Sequence, residues 1–293
     1  MTRRPLRLRR SVLYVPASNE KAIGKAAMLA CDAVIFDLED AVAPGAKEEA
    51  RERLRDHFRA NPQSACERVI RINALSSEFG SEDFLAARAC KPDAILIPKV
   101  NVPQDIADVA DMLTETDAAD TIRLWAMMET PKAILNAGQI AEWGETPGSR
   151  LDCLVAGTND LAKDLRLPGQ DRAVLHPLLM GLVVAARAAG LDIIDGVFNA
   201  FRDEEGFAAE CAAAAAMGFD GKTLIHPAQI EGANAAFGIA PEREAVAASI
   251  VAAFDLPENR DAGVIGLDGR MVERLHLEDA RRTLTLAALQ RGH

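Results

Sequence analysis

The sequence predicts an α/β protein of the (β/α)₈-barrel class with a C-terminal helical and hairpin extension. Eight short apolar, β-rich runs follow one another along the chain, and stretches with helical periodicity or alanine-rich composition separate them. Strand alternating with helix implies a parallel sheet, because each right-handed crossover needs a helix to return the chain. Several runs are almost continuously apolar, as in strands buried on both faces. Eight such units favour a closed barrel over an open sheet.

The elements can be placed in chain order. The predicted strands are residues 11–15, 33–36, 68–72, 94–97, 124–128, 153–156, 192–194 and 221–225. Helical stretches include residues 20–30, 46–60, 81–89, 102–114, 133–141, 175–189 and 207–217. No Gly-x-Gly-x-x-Gly follows the first strand, so a dinucleotide-binding sheet has no support. The barrel is therefore predicted over residues 11–240.

The two ends of the chain lie outside the barrel repeat. Residues 1–10 carry five arginines and no acid, and they are read as a solvated basic arm that can meet an anionic ligand or a neighbouring subunit. Residues 241–293 form the extension, in which Gly266, Asp268 and Gly269 indicate a hairpin-like turn before a last helix at residues 277–291. The extension can pack on its own barrel or on that of a neighbour.

Composition excludes several classes of function. The formal net charge of −11 argues against a non-specific nucleic-acid binder and against a protein that binds anionic membranes. No apolar run approaches the roughly 18 residues of a membrane span. The five cysteines are scattered without metal-ligand spacing, which indicates free thiols in a reducing cytoplasm.

Polar residues follow most of the predicted strands at the point where each strand ends. In a barrel these ends meet at one rim, where side chains can converge on a ligand. The residues are Asp37, Glu39, Asp40, Arg71, Asn73, Lys99, Glu129, Asp160, Asp195 and His226.

Glu129 and Asp160 end adjacent strands, so their carboxylates can meet. Oxygen ligands without Cys or clustered His favour Mg²⁺, or Mn²⁺, over zinc. By spacing alone, a buried ion pair of Glu129 with Lys99 or Arg71 is an equal alternative. Arg71 can similarly be a core ion-pair partner of Asp37 or Glu39.

Five short segments stand at the ends of predicted strands: FDLEDAV at residues 36–42, RIN at 71–73, IPKV at 97–100, METP at 128–131 and GTNDLA at 157–162. These segments resemble the citrate lyase β-subunit and malyl-CoA lyase family of the aldolase/citrate lyase superfamily. They fall in the family's order, one per strand, and the likeness extends over nearly the whole chain.

The resemblance implies a role for each matching residue. Glu129 and Asp160 bind the metal, with Glu129 also close to the substrate, and Arg71 is the substrate-binding and catalytic arginine. The acidic segment places Asp37 at the catalytic centre and Glu39 and Asp40 near the metal through water. Lys99 supports this cluster by ion pairing, although a barrel lysine can also form a Schiff base. Two residues, Pro16 and Asn19, lie in the loop expected near the CoA or acyl-carrier arm.

One segment departs from the family pattern. Relatives carry a tail segment whose Asp reaches a neighbouring subunit's active site as an acid or base, and the matching residue here is Glu273. A glutamate can transfer a proton if it lands within hydrogen-bond reach. The longer side chain, and Leu275 in place of a proline, leave open both that role and thioester hydrolysis. A surface glutamate without a role is the other reading.

The resemblance implies a Mg²⁺-dependent carbon–carbon lyase acting on a malyl-, citramalyl- or citryl-type CoA thioester. Its products, or reactants in reverse, are an acetyl or propionyl thioester and a 2-keto acid. One alternative is a metal-dependent aldolase on free hydroxy-keto acids, which usually needs a catalytic His near the first helix. The first third of the chain has only His57, in the middle of a predicted helix, which counts against this alternative. Another is a citrate lyase β-type subunit that needs an acyl-carrier partner. A homo-oligomer is expected, with a trimer favoured, and His226 is read as structural.

Overall fold

The computed structural model describes residues 6–168 and 172–292. Eight parallel strands close into a barrel in chain order, which confirms the predicted fold. A two-stranded antiparallel sheet follows the barrel. The strands are β1 (Ser11–Pro16), β2 (Ala33–Asp37), β3 (Glu67–Arg71), β4 (Ala94–Ile97), β5 (Arg123–Met128), β6 (Leu151–Ala156), β7 (Asp192–Asp195), β8 (Gly221–Leu224), β9 (Val264–Leu267) and β10 (Arg270–Glu273).

The helices up to Ala236 cover the outside of the sheet, and the last two helices belong to a second compact unit. One predicted helix, at residues 133–141, is two helices that meet at Asn136. The α-helices are α1 (Glu20–Ala26), α2 (Lys47–Ala60), α3 (Gly80–Cys90), α4 (Pro103–Glu115), α5 (Pro131–Leu135), α6 (Ala137–Trp143), α7 (Thr158–Asp164), α8 (His176–Ala188), α9 (Glu204–Met217), α10 (Ile230–Ala236), α11 (Pro241–Asp255) and α12 (Arg274–Arg291).

Alternation along the strands divides the core into two apolar layers, because successive side chains of a strand point to opposite faces. One layer fills the barrel, with Ile35, Val69 and Trp125 among its members. The other packs between the sheet and the helices, with Phe36, Ile70 and Leu54 among its members. This alternation fixes which residue at each strand end faces the barrel mouth.

The N-terminal end of the barrel is closed by an arginine. Arg9 is 3% exposed and donates to Glu67, Asp152 and Asp192, three acids at the N-terminal ends of different strands. Its guanidinium also lies 4.8 Å from the ring centre of Trp125. Such a buried cation requires several acids around it.

The expectation of a solvated basic arm is therefore wrong for Arg9 and Arg10. Arg10 is also buried, and it pairs with Asp32 at 2.8 Å. Arg7 is exposed. The arginines at positions 3 and 4 lie outside the described residues.

Asp195 differs from the expectation that every polar strand end faces the mouth. It is fully buried and pairs with Lys222 at 2.6 Å and with Arg172. Ile194, its neighbour on β7, fills the barrel interior, so Asp195 points toward the surrounding helices. It thus belongs to a structural ion cluster.

The chain forms two compact units, Arg9–Phe237 and a second unit made of residues 238–292 with 6–8. In the second unit, β9 and β10 form the predicted hairpin, and its turn places Asp268 and Gly269 at φ of 46° and 73°. Phe254, Ile265, Val272 and Leu277 form the apolar core of this unit. None of the described helices has the length and apolarity that crossing a bilayer requires.

Candidate active site

Arg71 and Asp37 form a forked ion pair at the mouth of the barrel. Their strands pair in register, Asp37 beside Arg71, and both residues are buried. Arg71 Nε donates to Asp37 Oδ1 at 2.7 Å, and Nη2 donates to Oδ2 at 2.6 Å. Two parallel charge-assisted bonds hold the guanidinium plane in one orientation.

All the acceptor positions of Asp37 are in use. Besides Arg71, the backbone N–H groups of Glu39 and Ala41 donate to its two oxygens at 2.9 and 3.1 Å. Four donors on one carboxylate hold its plane, and the groups that donate to it, in fixed positions. Asp37 is thus arranged to orient Arg71 and the acidic loop after β2.

The remaining nitrogen of Arg71, Nη1, faces the acidic loop. It lies 2.9 Å from Glu39 Oε2 and 3.6 Å from Asp40 Oδ2. Lys99 Nζ lies 3.2 Å from the other oxygen of Glu39. Burial raises the pKa of Glu39, and the Arg71 charge opposes that rise. Glu39 therefore links the arginine to Lys99, while Asp40 is largely exposed.

Glu129 follows β5 and is 3% exposed. Its Oε1 accepts a hydrogen bond from the backbone N–H of Lys99 at 2.7 Å. Lys99 holds that N–H in place with a left-handed backbone, φ 51°, which a non-glycine residue adopts at a cost. Burial raises the pKa of Glu129 to about 8, the charges of Glu39 and Asp160 add to the rise, and the Lys99 N–H and Arg71 oppose it.

Glu129 and Asp160 lie at the ends of paired strands, since Met128 of β5 is the register partner of Ala156 in β6. Asp160 is in the first turn of α7, and its side chain is 31% exposed. Within residues 6–168 and 172–292, its nearest cation is Lys163 Nζ, 4.0 Å away. The structure therefore brings the two predicted metal ligands to one edge of the mouth.

This donor set suits a hard divalent cation. Across the described residues, Glu129 forms no ion pair with a lysine, arginine or histidine, although it is buried. A buried carboxylate without a cation is electrostatically costly, and a bound cation offsets that cost. Among the described residues, no group of three or more His, Cys, Asp or Glu side chains is arranged to hold a metal ion. One or two carboxylates, with water and substrate, are the usual Mg²⁺ ligands.

Other predicted residues have structural partners. Pro16 ends β1, and its carbonyl accepts from the N–H of Asn19 at 2.9 Å. Asn19 is exposed and caps α1, accepting from the N–H of Ala22 at 3.1 Å. His226 accepts from the N–H of Ala228 and stacks on Phe201 with ring centres 4.6 Å apart.

Glu273 belongs to the second unit, where it ends β10 and caps α12. Its backbone N–H donates to His276 Nδ1 at 2.9 Å. Its side chain is partly exposed. An acid or base role for Glu273 at the barrel mouth stays a prediction.

Lys47 is a site residue that the sequence reasoning missed. It is buried at the start of α2, and its Nζ donates to the carbonyls of Leu38 and Glu39 at 2.8 and 2.9 Å. It also donates to Asn73 Oδ1 at 3.1 Å, so Asn73 helps hold the loop after β2. A lysine at the first position of a charged amphipathic helix is normally expected to be exposed to solvent. The sequence therefore did not indicate that Lys47 would be buried and bonded to the loop after β2.

The fold and this rim define a barrel whose charged groups collect at the C-terminal ends of the strands, where barrel enzymes carry their active sites. Residues 10–227 match the family model described as HpcH/HpaI aldolase/citrate lyase. The chain belongs to this family, and the predicted resemblance is confirmed.

Two relatives and one solved structure extend the comparison. The (3S)-malyl-CoA thioesterase of Cereibacter sphaeroides is 47% identical over 95% of this chain and 94% of its own length. The citrate lyase subunit beta of Haemophilus influenzae is 32% identical over 96% and 98%. The structure of CitE from Mycobacterium tuberculosis in complex with magnesium, acetoacetate and coenzyme A has a TM-score of 0.73 and 29% identity, covering 95% of this chain and 97% of that chain. The chain is thus an enzyme of a family that includes CoA-ester lyases.

Proposed function

We propose that the protein is a Mg²⁺-dependent carbon–carbon lyase that acts on the CoA thioester of a hydroxy-dicarboxylic acid of the malyl, citramalyl or citryl type. The observation that carries the proposal is Glu129, a buried carboxylate without a cation partner among the described residues, beside Asp160 at the barrel mouth. The CitE structure with magnesium and coenzyme A supports both the metal and the thioester.

Each residue of the site has a task in such a reaction. Glu129 and Asp160 would hold Mg²⁺, which when bound lowers the pKa of a coordinated hydroxyl and polarises a carbonyl. Arg71, oriented by Asp37, presents Nη1 to a substrate carboxylate or to the oxygen of the departing thioester enolate. Lys99 fixes Glu129 through its backbone N–H, so the geometry exists before substrate binds.

The test is cleavage of malyl-CoA and citramalyl-CoA with Mg²⁺, with the 2-keto acid trapped as a hydrazone. Glu129→Gln removes one carboxylate charge at nearly constant volume, so both Mg²⁺ binding and turnover should be lost. Glu142→Gln, at an exposed position on α6, is the matched control and should retain both. Undiminished cleavage in excess EDTA would contradict the proposal.

A second candidate is hydrolysis of the same thioester, which the 47% identical malyl-CoA thioesterase favours. Hydrolysis releases free CoA and the hydroxy acid, whereas carbon–carbon cleavage releases a keto acid and a shorter thioester. Thiol release and hydrazone formation measured on the same samples distinguish the two reactions. If Glu273 supplies the proton transfer for hydrolysis, Glu273→Gln lowers thiol release and leaves hydrazone formation unchanged.

A further inference from the structure

Tyr14 lies in the interior of the barrel beside the charged cluster. It is on β1, where its register partner is Ile35 of β2, and it packs against the apolar layer that fills the barrel. The guanidinium carbon of Arg71 lies 5.1 Å from the centre of its ring. Asp37 is two residues beyond Ile35 on the same face, so Tyr14 lies one layer deeper than the Arg71–Asp37 pair.

Packing in the barrel interior does not account for the hydroxyl group of Tyr14. It is buried, and within the described parts of the chain it has no hydrogen-bond partner. Phenylalanine would fill the same space and keep the same contact with Arg71. A buried hydroxyl without a partner is unfavourable, so its presence points to a ligand that pairs with it.

The surroundings define the chemistry of that ligand. Burial raises the pKa of Tyr14, so the hydroxyl keeps its proton and donates. Two nitrogens of Arg71 are bound to Asp37. The third, Nη1, lies 2.9 Å from Glu39 Oε2 and 3.8 Å from Met127 Sδ, so a ligand oxygen beside Tyr14 would share Nη1 with these groups. Because Tyr14 lies below the rim, only the small end of a substrate reaches it, and the long thioester arm does not.

We propose that Tyr14 is a substrate-binding residue whose hydroxyl donates a hydrogen bond to a carbonyl or carboxylate oxygen of the 2-keto-acid half of the substrate. This inference rests on the proposed function. It assigns Tyr14 and Arg71 Nη1 as two donors, one neutral and one charged, for the same small acid.

The composition of the chain gives a direct test, since Tyr14 is its only tyrosine. Full-length protein labelled with 3-fluorotyrosine has one ¹⁹F resonance from this residue. With Mg²⁺ present, adding glyoxylate or oxaloacetate should shift that resonance, and adding coenzyme A alone should not. Keto-acid binding seen by calorimetry without any change in the resonance would overturn the inference and leave the proposed function standing. Absence of keto-acid binding by calorimetry would overturn both.

Kinetics of Tyr14→Phe give an independent readout. The variant keeps the ring and its contact with Arg71, so the melting temperature should stay at or above that of the wild type. In the condensation direction, KM for the keto acid should rise about tenfold, the effect of one lost hydrogen bond, while KM for the acyl thioester stays unchanged. Equal increases in both KM values, or none, would contradict a contact with the keto acid.

Discussion

Gly157 lies against the side chain of Glu129: a Cβ atom at Gly157 would overlap the Cβ of Glu129 and come within 2.9 Å of its Oε2. The N–H of Gly157 meanwhile donates to the carbonyl of Met128 at 3.1 Å. The backbone immediately after β6 thus packs directly against the buried carboxylate. Glycine is required at this position because a side chain would overlap Glu129. The backbone conformation does not require glycine, since other residues also adopt a φ of −99°.

Gly157→Ala should therefore displace Glu129. We expect Mg²⁺ affinity and turnover to fall together and stability to drop by about 1–3 kcal/mol, the usual effect of overpacking. Calorimetric Mg²⁺ titration and urea unfolding check the two parts. Gly138→Ala in α6 is the matched control, since a Cβ there meets nothing within 4 Å, and it should stabilise by about 0.5–1 kcal/mol. Normal Mg²⁺ binding by Gly157→Ala would show that the Glu129 position is not critical.

Arg71→Lys should abolish the forked pair with Asp37 while keeping the positive charge. A lysine cannot make two parallel bonds, so the cation loses its fixed orientation at the barrel mouth. We expect kcat to fall by about 10²–10³, as for loss of an aligned donor. Arg59→Lys, in an exposed pair with Asp56, should leave kcat unchanged. A steady-state assay of both variants with malyl-CoA measures the difference, and equal rates would rule out a role for the fork.

The fold was predictable because it is encoded in local patterns. Apolar runs such as Ala94–Ile97 are strand-forming by themselves, and their alternation with helices implies the parallel barrel. The approach of Glu129 to Asp160 follows from the same pattern, because both end adjacent strands. Spacing alone left open whether Glu129 binds a metal or forms an ion pair, and only the resemblance to a known family predicted metal binding.

Features that depend on distant partners were not predictable. Arg9 looks solvated within its basic segment, and its burial depends on Glu67, Asp152 and Asp192, which come together only when the barrel closes. The unpaired hydroxyl of Tyr14 depends similarly on the depth of its ring below Arg71. No local pattern in the sequence records either arrangement.

Cys66 should react with iodoacetamide at unusually low pH. Hydrogen bonding from the thiol of Cys31 lowers the pKa of Cys66 to about 6, against the effect of burial, and Ser64 Oγ lies 3.2 Å from its sulfur. The thiolate is the reactive form, so alkylation should rise with pH through about 6 and then level off. Cys90 is the internal control, because burial raises its pKa to about 11 and its reaction should be negligible in that range.

Peptide mass spectrometry after timed alkylation separates the two cysteines in one sample. Ser64→Ala should shift the Cys66 profile to higher pH, since it removes one stabilising hydrogen bond. A Cys66 profile that keeps rising toward about pH 9, like that of an unperturbed thiol, would contradict the prediction.

Lys222→Met should destabilise the barrel strongly, because Lys222 is completely buried and donates at 2.6 Å to each of Asp195, Gly196 O and Glu210. Methionine fills a similar volume but leaves Asp195 to Arg172 alone. We expect a loss of about 3–5 kcal/mol in urea unfolding. Lys163→Met, at a lysine whose side chain is 78% exposed, should change stability little.

Adding Asp195→Leu to Lys222→Met should recover part of the loss, because it removes the buried charge left without its partner. A double variant as unstable as the sum of the single ones would show that the two residues contribute independently.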